Sequence, residues 1–137
     1  MGCDIHGRVQ VKRWKGQEKW SDFGEIPRGR NYALFGNLAG VRAYYVDGLK
    51  TISEPRGYPS DFTFDENDDH EIHHFSATDV PCTQLYWMGD HSHSWLSLDE
   101  MLAWDGWDER ADVWLKFLAY LKASDFVEVR VVFGFDS

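Results

Sequence analysis

Residues 3–13 read CDIHGRVQVKR, and the alternation in that stretch decides the fold. Cys3, Ile5, Gly7, Val9 and Val11 fall on one side of an extended chain, and Asp4, His6, Arg8, Gln10 and Lys12 on the other. Successive side chains of a strand point to opposite faces, so the pattern predicts a strand with an apolar core below it and a polar face above. Lys15-Gly16-Gln17 reads as a turn, and residues 19–23 are expected to return as a second strand. At the far end, residues 126–135 carry the run Val131-Val132-Phe133, which predicts a central, well-buried strand.

Between these lie the helices. Leu34, Leu38, Val41 and Tyr45 recur at helical spacing over 31–45, with Gly36 and Gly40 weakening the helix. Ser97-Leu98-Asp99-Glu100 fits a capping box and predicts a helix of about three turns. Residues 108–123 predict a further helix with Val113, Trp114, Phe117, Leu118 and Leu121 on one apolar face. A strand is expected around 84–88, followed by a turn at Gly89-Asp90. The order β, β, α, loop, β, α, α, β predicts an α+β fold. The expectation is a single domain, 1–137, in which about three helices pack on a mixed or mainly antiparallel sheet. Residues 61–79, centred on DENDDHEIHH, are acidic and His-rich and are expected to form a mobile insertion.

Composition narrows the function. The chain has 137 residues, 43% hydrophobic and 27% charged, as a soluble globular protein would. Its 23 acidic against 14 basic residues give a net charge of -9. That balance disfavours a nucleic-acid polymer or an anionic membrane as partner. No run reaches the roughly 20 apolar residues of a membrane helix, and no signal peptide is evident, so a cytoplasmic protein is expected. Cys3 and Cys82 are expected as reduced thiols. Seven Trp, six Tyr and nine Phe are many for a chain this small. They imply a heavy core, a stacking pocket or an interface, and a homodimer through surface tryptophans is allowed.

Three groups of residues point to chemistry. His70-Glu71-Ile72-His73-His74 matches a zinc-binding spacing, but it lacks an apolar helix and a third ligand, so it reads as a solvated loop. His91-Ser92-His93-Ser94, if extended, places both imidazoles on one face, and Asp4 and His6 stand in the same relation. Should the segments meet, Asp4, His6, His91 and His93 form a set suited to a divalent metal, Zn or Mn first, with Asp90 beside it for proton transfer. Arg30 and Arg56 sit in glycine-containing turns, where a guanidinium fork suits phosphate. Asn31, Tyr32, Glu54, Trp95 and Asp136 complete the expected ligand contacts, with Asn31 at a helix start and Trp95 as a stacking ring.

These blocks together resemble a group of small proteins from tailed phages and some bacteria. The resemblance is carried by the opening MGCDIH, by Gly29-Arg30-Asn31-Tyr32, by Glu54-Pro55-Arg56-Gly57, by Asp90 with His91-Ser-His-Ser94 and by the closing Val-Phe-Gly-Phe-Asp136. It covers nearly the whole chain, leaves out the His-rich loop, and implies that the polar blocks converge. The expected function is a metal-dependent hydrolase of a phosphate-containing small molecule, a nucleotide or nucleotide signal, and the resemblance implies a phage counter-defence setting. The alternative is a non-catalytic protein that sequesters a signalling nucleotide. A third reading is an acidic inhibitor that imitates nucleic acid.

Overall fold

In a computed structural model, which describes residues 2–62, 72–74, 81–83 and 88–137, the alternating segment forms strand β1, Asp4–Lys12. Cys3, Ile5, Val9 and Val11 are buried as the pattern requires. The chain turns and returns as β2, Ser21–Glu25. After helix α1, Tyr32–Ala39, a short 3-10 turn spans Ala43–Tyr45. Two three-residue strands, β3 (Ile72–His74) and β4 (Pro81–Thr83), pair with each other. Then come β5 (His91–Ser97), α2 (Leu98–Ala103), a 3-10 turn at Glu109–Ala111, α3 (Asp112–Ala123) and β6 (Glu128–Asp136).

The main sheet has the order β2-β1-β6-β5, and each of its pairings is antiparallel. The fold is a single α+β domain, and β6 occupies the central position that its apolar run predicted. Val131, Phe133 and Phe135 are fully buried and face the helices. Burial of side chains this size stabilises by about 1.5–3 kcal/mol each. Trp114, Leu118 and Leu121 of α3, and Phe35 and Leu38 of α1, complete that core.

Several boundaries differ from expectation for local reasons. The helix predicted over 31–45 stops at Ala39, because Gly40 adopts a left-handed φ of 75° and its N–H caps the Gly36 carbonyl. The capping box of α2 forms fully, with Ser97 accepting from the Glu100 N–H and Glu100 accepting from the Ser97 N–H. Yet α2 has only six residues. Trp104 is extended, and the Trp107 indole donates to the Met101 carbonyl at 3.1 Å, closing the helix there. Val113, expected on the buried face of α3, is 59% exposed. The strand expected around 84–88 falls largely outside the described residues, and strand structure begins at His91 instead.

The insertion expected over 61–79 also lies mostly outside the described residues. Two of its residues belong to the body. Asp61 bonds Trp20 and Arg130, and Phe62 packs on Tyr58. Ile72–His74 is extended, not helical, so those residues of the HEIHH segment do not follow the zinc-helix pattern.

Candidate functional site

The end of β6 brings the N-terminal block and the His91-Ser92-His93 block to the same end of the sheet. In the register, Asp4 lies opposite Asp136 and His6 opposite Gly134, while on the other side of β6 His91 lies opposite Phe135. Opposed residues of an antiparallel pair share a face. His6 therefore meets Asp136 diagonally, and its Nε2–H donates to Asp136 Oδ2 at 2.6 Å. The Asp4 N–H donates to Asp136 Oδ1 at 3.3 Å.

His91 and His93 do not share a face. The β5–β6 register shifts by one residue between His91 and Ser94, and Ser92 takes a left-handed φ of 55°. Such a bulge re-aims the side chains on either side of it. His91 stacks against the Phe135 ring, 6.2 Å between centroids, whereas His93 lies over Gly134. A Cβ on Gly134 would collide with the Met88 carbonyl and the His93 ring, so only glycine lets the chain at 88–93 cross there.

The four expected metal ligands are thus divided. His91 bonds Ser92 Oγ through Nδ1 and Ser137 Oγ through Nε2. His93 Nε2–H donates to the Gly89 carbonyl at 2.9 Å, and its ring stacks on Tyr58 at 4.8 Å. Burial pushes the His93 pKa below its ordinary value, favouring the neutral ring. Asp4 is engaged by Arg30, which donates through Nε to Oδ1 at 2.9 Å and through Nη2 to Oδ2 at 3.4 Å. That guanidinium holds the Asp4 carboxyl below the usual carboxylate range. Among the described residues, no three His, Cys, Asp or Glu side chains form a group able to hold a metal ion. The donor set as arranged does not fit one metal. Cys3, a free thiol directly beneath this end, is buried, and burial pushes its pKa up.

Arg30 also leads into an open groove of about 510 Å³. Its lining includes Arg30, Asn31, Tyr32, Tyr45, Arg110 and Asp112. The Asn31 side chain caps α1 by accepting from the Leu34 N–H at 3.1 Å, and it donates to the Arg110 carbonyl at 2.8 Å. The Tyr32 hydroxyl accepts from the Cys3 N–H, and the Tyr32 and Tyr45 rings pack 5.2 Å apart. Arg110 is held by Asp108 through two bonds, at 2.8 and 3.1 Å, much as Arg30 is held by Asp4. Both arginine side chains are more than half exposed, at 59% and 57%. A carboxylate gripping a guanidinium fork pre-orients it in the geometry that also receives phosphate.

The other expected contacts lie elsewhere. Arg56 holds Glu100 with bonds of 2.6 and 3.1 Å and donates to the Trp95 carbonyl, so it clamps β5 to the α2 capping box. Glu54 is exposed, and its carbonyl accepts from the Ser53 hydroxyl. Asp90 is exposed, and its N–H donates to the Phe135 carbonyl. Trp95 carries the Arg56 guanidinium 5.1 Å over its ring and faces a separate cavity, away from Asp136. Sequence reasoning missed Arg110 and Tyr45. Asp108 two residues before Arg110 was the one available signal for the former, and helical spacing had marked the latter as an apolar helix position, whereas Tyr45 ends a 3-10 turn and is exposed.

Among the described residues no helix is long and apolar enough to cross a membrane. No protein family, curated protein or solved structure matches this chain.

Proposed function

We propose that the chain binds a small phosphate-bearing ligand of the nucleotide class in the groove between Arg30 and Arg110. The observation that carries this reading is the pair of exposed guanidiniums, each pre-oriented by a carboxylate, on one groove whose wall holds Tyr32 and Tyr45. Phosphate oxygens take the arginines, and a base packs against the exposed side of the Tyr32–Tyr45–Tyr44 ring cluster. Titration calorimetry with ADP, inorganic phosphate and adenosine tests it. ADP binds more tightly than either part, and Arg30→Gln or Arg110→Gln weakens ADP by about tenfold, the loss expected for one charged hydrogen bond. ADP that fails to bind, or binds both variants as it binds the wild type, defeats the proposal.

A second reading, hydrolysis of that ligand, is favoured by the His6–Asp136 pair beside Arg30. An imidazole oriented by a carboxylate is the arrangement suited to moving a proton to or from water. Phosphate release from ADP, assayed with and without added Zn²⁺ or Mn²⁺ and with a chelator, tests this reading. Release that persists in chelator and is lost in His6→Asn assigns the chemistry to His6. Release that needs the added metal assigns it to a metal centre. No release under any condition leaves a sequestering protein.

A further inference from the structure

The groove between Arg30 and Arg110 is built from the starts of two helices. Arg30, Asn31 and Tyr32 lie at the start of α1, and Arg110 and Asp112 at the start of α3. The Asn31 side chain ties the two together, accepting from the Leu34 N–H and donating to the Arg110 carbonyl. The two starts differ in charge. The first turn of α1 holds no acidic residue, whereas α3 begins with Asp112. Arg30 is balanced by Asp4, and Arg110 by Asp108. Asp112 is exposed, and among the described residues it has no ion pair and no side-chain hydrogen bond. A ligand offering only anionic oxygens meets this carboxylate as a like charge. A ligand that also offers donors meets it as an acceptor.

We propose that Asp112 selects a ribonucleotide over its 2′-deoxy counterpart by accepting hydrogen bonds from the ribose hydroxyls. This selection rests on the nucleotide reading of the groove and specifies the sugar, which that reading leaves open. The two guanidiniums take phosphate oxygens and the tyrosine cluster takes the base. The ribose joins those two parts, so it is the part of the ligand left to meet the remaining polar group of the lining. The chemistry matches. An ionised carboxylate is acceptor-only with two oxygens, and a vicinal diol presents two O–H donors. Hydrogen bonds to a charged acceptor are the strong ones, and an acidic side chain on the ribose 2′-OH recurs in dinucleotide-binding folds. Asp112 also acts against the wrong ligand. Without the hydroxyl, its charge faces the phosphates with less to offset the repulsion.

The test is titration calorimetry of the full chain with ADP, 2′-deoxy-ADP and IDP. The wild type binds ADP about tenfold more tightly than 2′-deoxy-ADP, the worth of one charged hydrogen bond. It binds IDP, which lacks the exocyclic amine, as it binds ADP. Asp112→Ala removes the discrimination between ADP and 2′-deoxy-ADP, and it binds 2′-deoxy-ADP more tightly than the wild type does because the like charge is gone. A purely structural role at the start of α3 would instead weaken both ligands alike. Should Asp112→Ala fail to fold, Asp112→Asn replaces it. That variant keeps one acceptor oxygen, so it reduces the discrimination and still tightens 2′-deoxy-ADP. Three outcomes overturn the assignment of Asp112 to the sugar while ADP binding that depends on Arg30 preserves the groove: equal binding of ADP and 2′-deoxy-ADP by the wild type, discrimination that survives in Asp112→Ala, or a preference for ADP over IDP that Asp112→Ala abolishes. ADP that does not bind the wild type overturns both the groove and the selection.

Discussion

The two ends of β6 handle charge in opposite ways. At Asp136 the polar groups sit in pairs beside a close backbone crossing, His6 with Asp136 about a quarter exposed and Arg30 with Asp4 about half exposed. At Arg130 a guanidinium is enclosed by Trp20, Gln10 and Asp61, one donor short of full satisfaction. Exposed pairs contribute little to stability and can exchange partners for a ligand. An enclosed charge is held by whatever surrounds it, and removing one partner is costly. The same residue types therefore serve recognition at one end and architecture, with one open valence, at the other.

The largest expected effect tests the frame under the open end. Gly134→Val would drive a branched side chain into the Met88 carbonyl and the His93 ring. Overpacking against backbone costs about 3 kcal/mol, read as a lowered urea midpoint with an unchanged slope. A tolerated Gly134→Val would mean that the crossing at 88–93 is soft, and the contrast between a rigid frame and exchangeable charges would fail.

Next comes the closed end. Asp61→Asn leaves Arg130 without its counter-charge. Asp61 is itself 60% exposed, so solvent screening reduces the expected loss to about 2 kcal/mol. The Arg130 hydrogen bond holds the Asp61 carboxyl below its ordinary value of 3.8. A carboxylate depressed on folding contributes stability that is complete above that ordinary value and is lost as pH falls through the folded one. The wild-type advantage over Asp61→Asn should thus shrink in acid, measured by urea unfolding from pH 6 downward. An advantage unchanged in acid would show that the pair acts through shape rather than charge.

How much of this was legible in the sequence follows the same division. Periodicity exposed β1, β6, α3 and the α2 cap, because each depends on which side chains meet the core or the nearest backbone groups. Register-dependent facts were not legible. The bulge at Ser92 comes from one added residue opposite β6, and no spacing rule distinguishes it from a flat strand that would have kept His91 and His93 together. Likewise Arg56, chosen as a phosphate fork, found Glu100, 44 positions away, through the path of the loop. Arg130 did carry a signal, a lone cation in Val129-Arg-Val-Val-Phe, and that signal meant a buried charge.

His93 gives a smaller, pH-dependent effect. Burial lowers its pKa from 6.5, so below that value the unfolded chain binds a proton that the folded chain does not. Stability should fall as pH drops below 6.5 and stop falling once the folded ring also titrates. The slope contributed is up to about 1.4 kcal/mol per pH unit. His93→Gln keeps a donor for the Gly89 carbonyl and removes the titration, so its stability profile should be flatter over this range. An equally steep profile in His93→Gln would assign the acid sensitivity to another group.

The smallest stability effect is expected where the binding effect is clearest. Asp4 and Arg30 face solvent, and the ion pair between them competes with water and salt. Asp4→Asn should leave the urea midpoint unchanged. For ligand binding, Asp4 has two opposed roles: it orients the Arg30 fork, and it occupies the surface that phosphate would use. Asparagine keeps one acceptor oxygen for orientation and removes the competing charge, so ADP should bind Asp4→Asn more tightly, most visibly at low salt. Weaker binding would mean that orientation outweighs competition and that Asp4 belongs to the site as a positioning residue. A shifted midpoint would mean something stronger, that the open end of β6 is stabilised by its charges after all and resembles the closed end more than its exposure suggests.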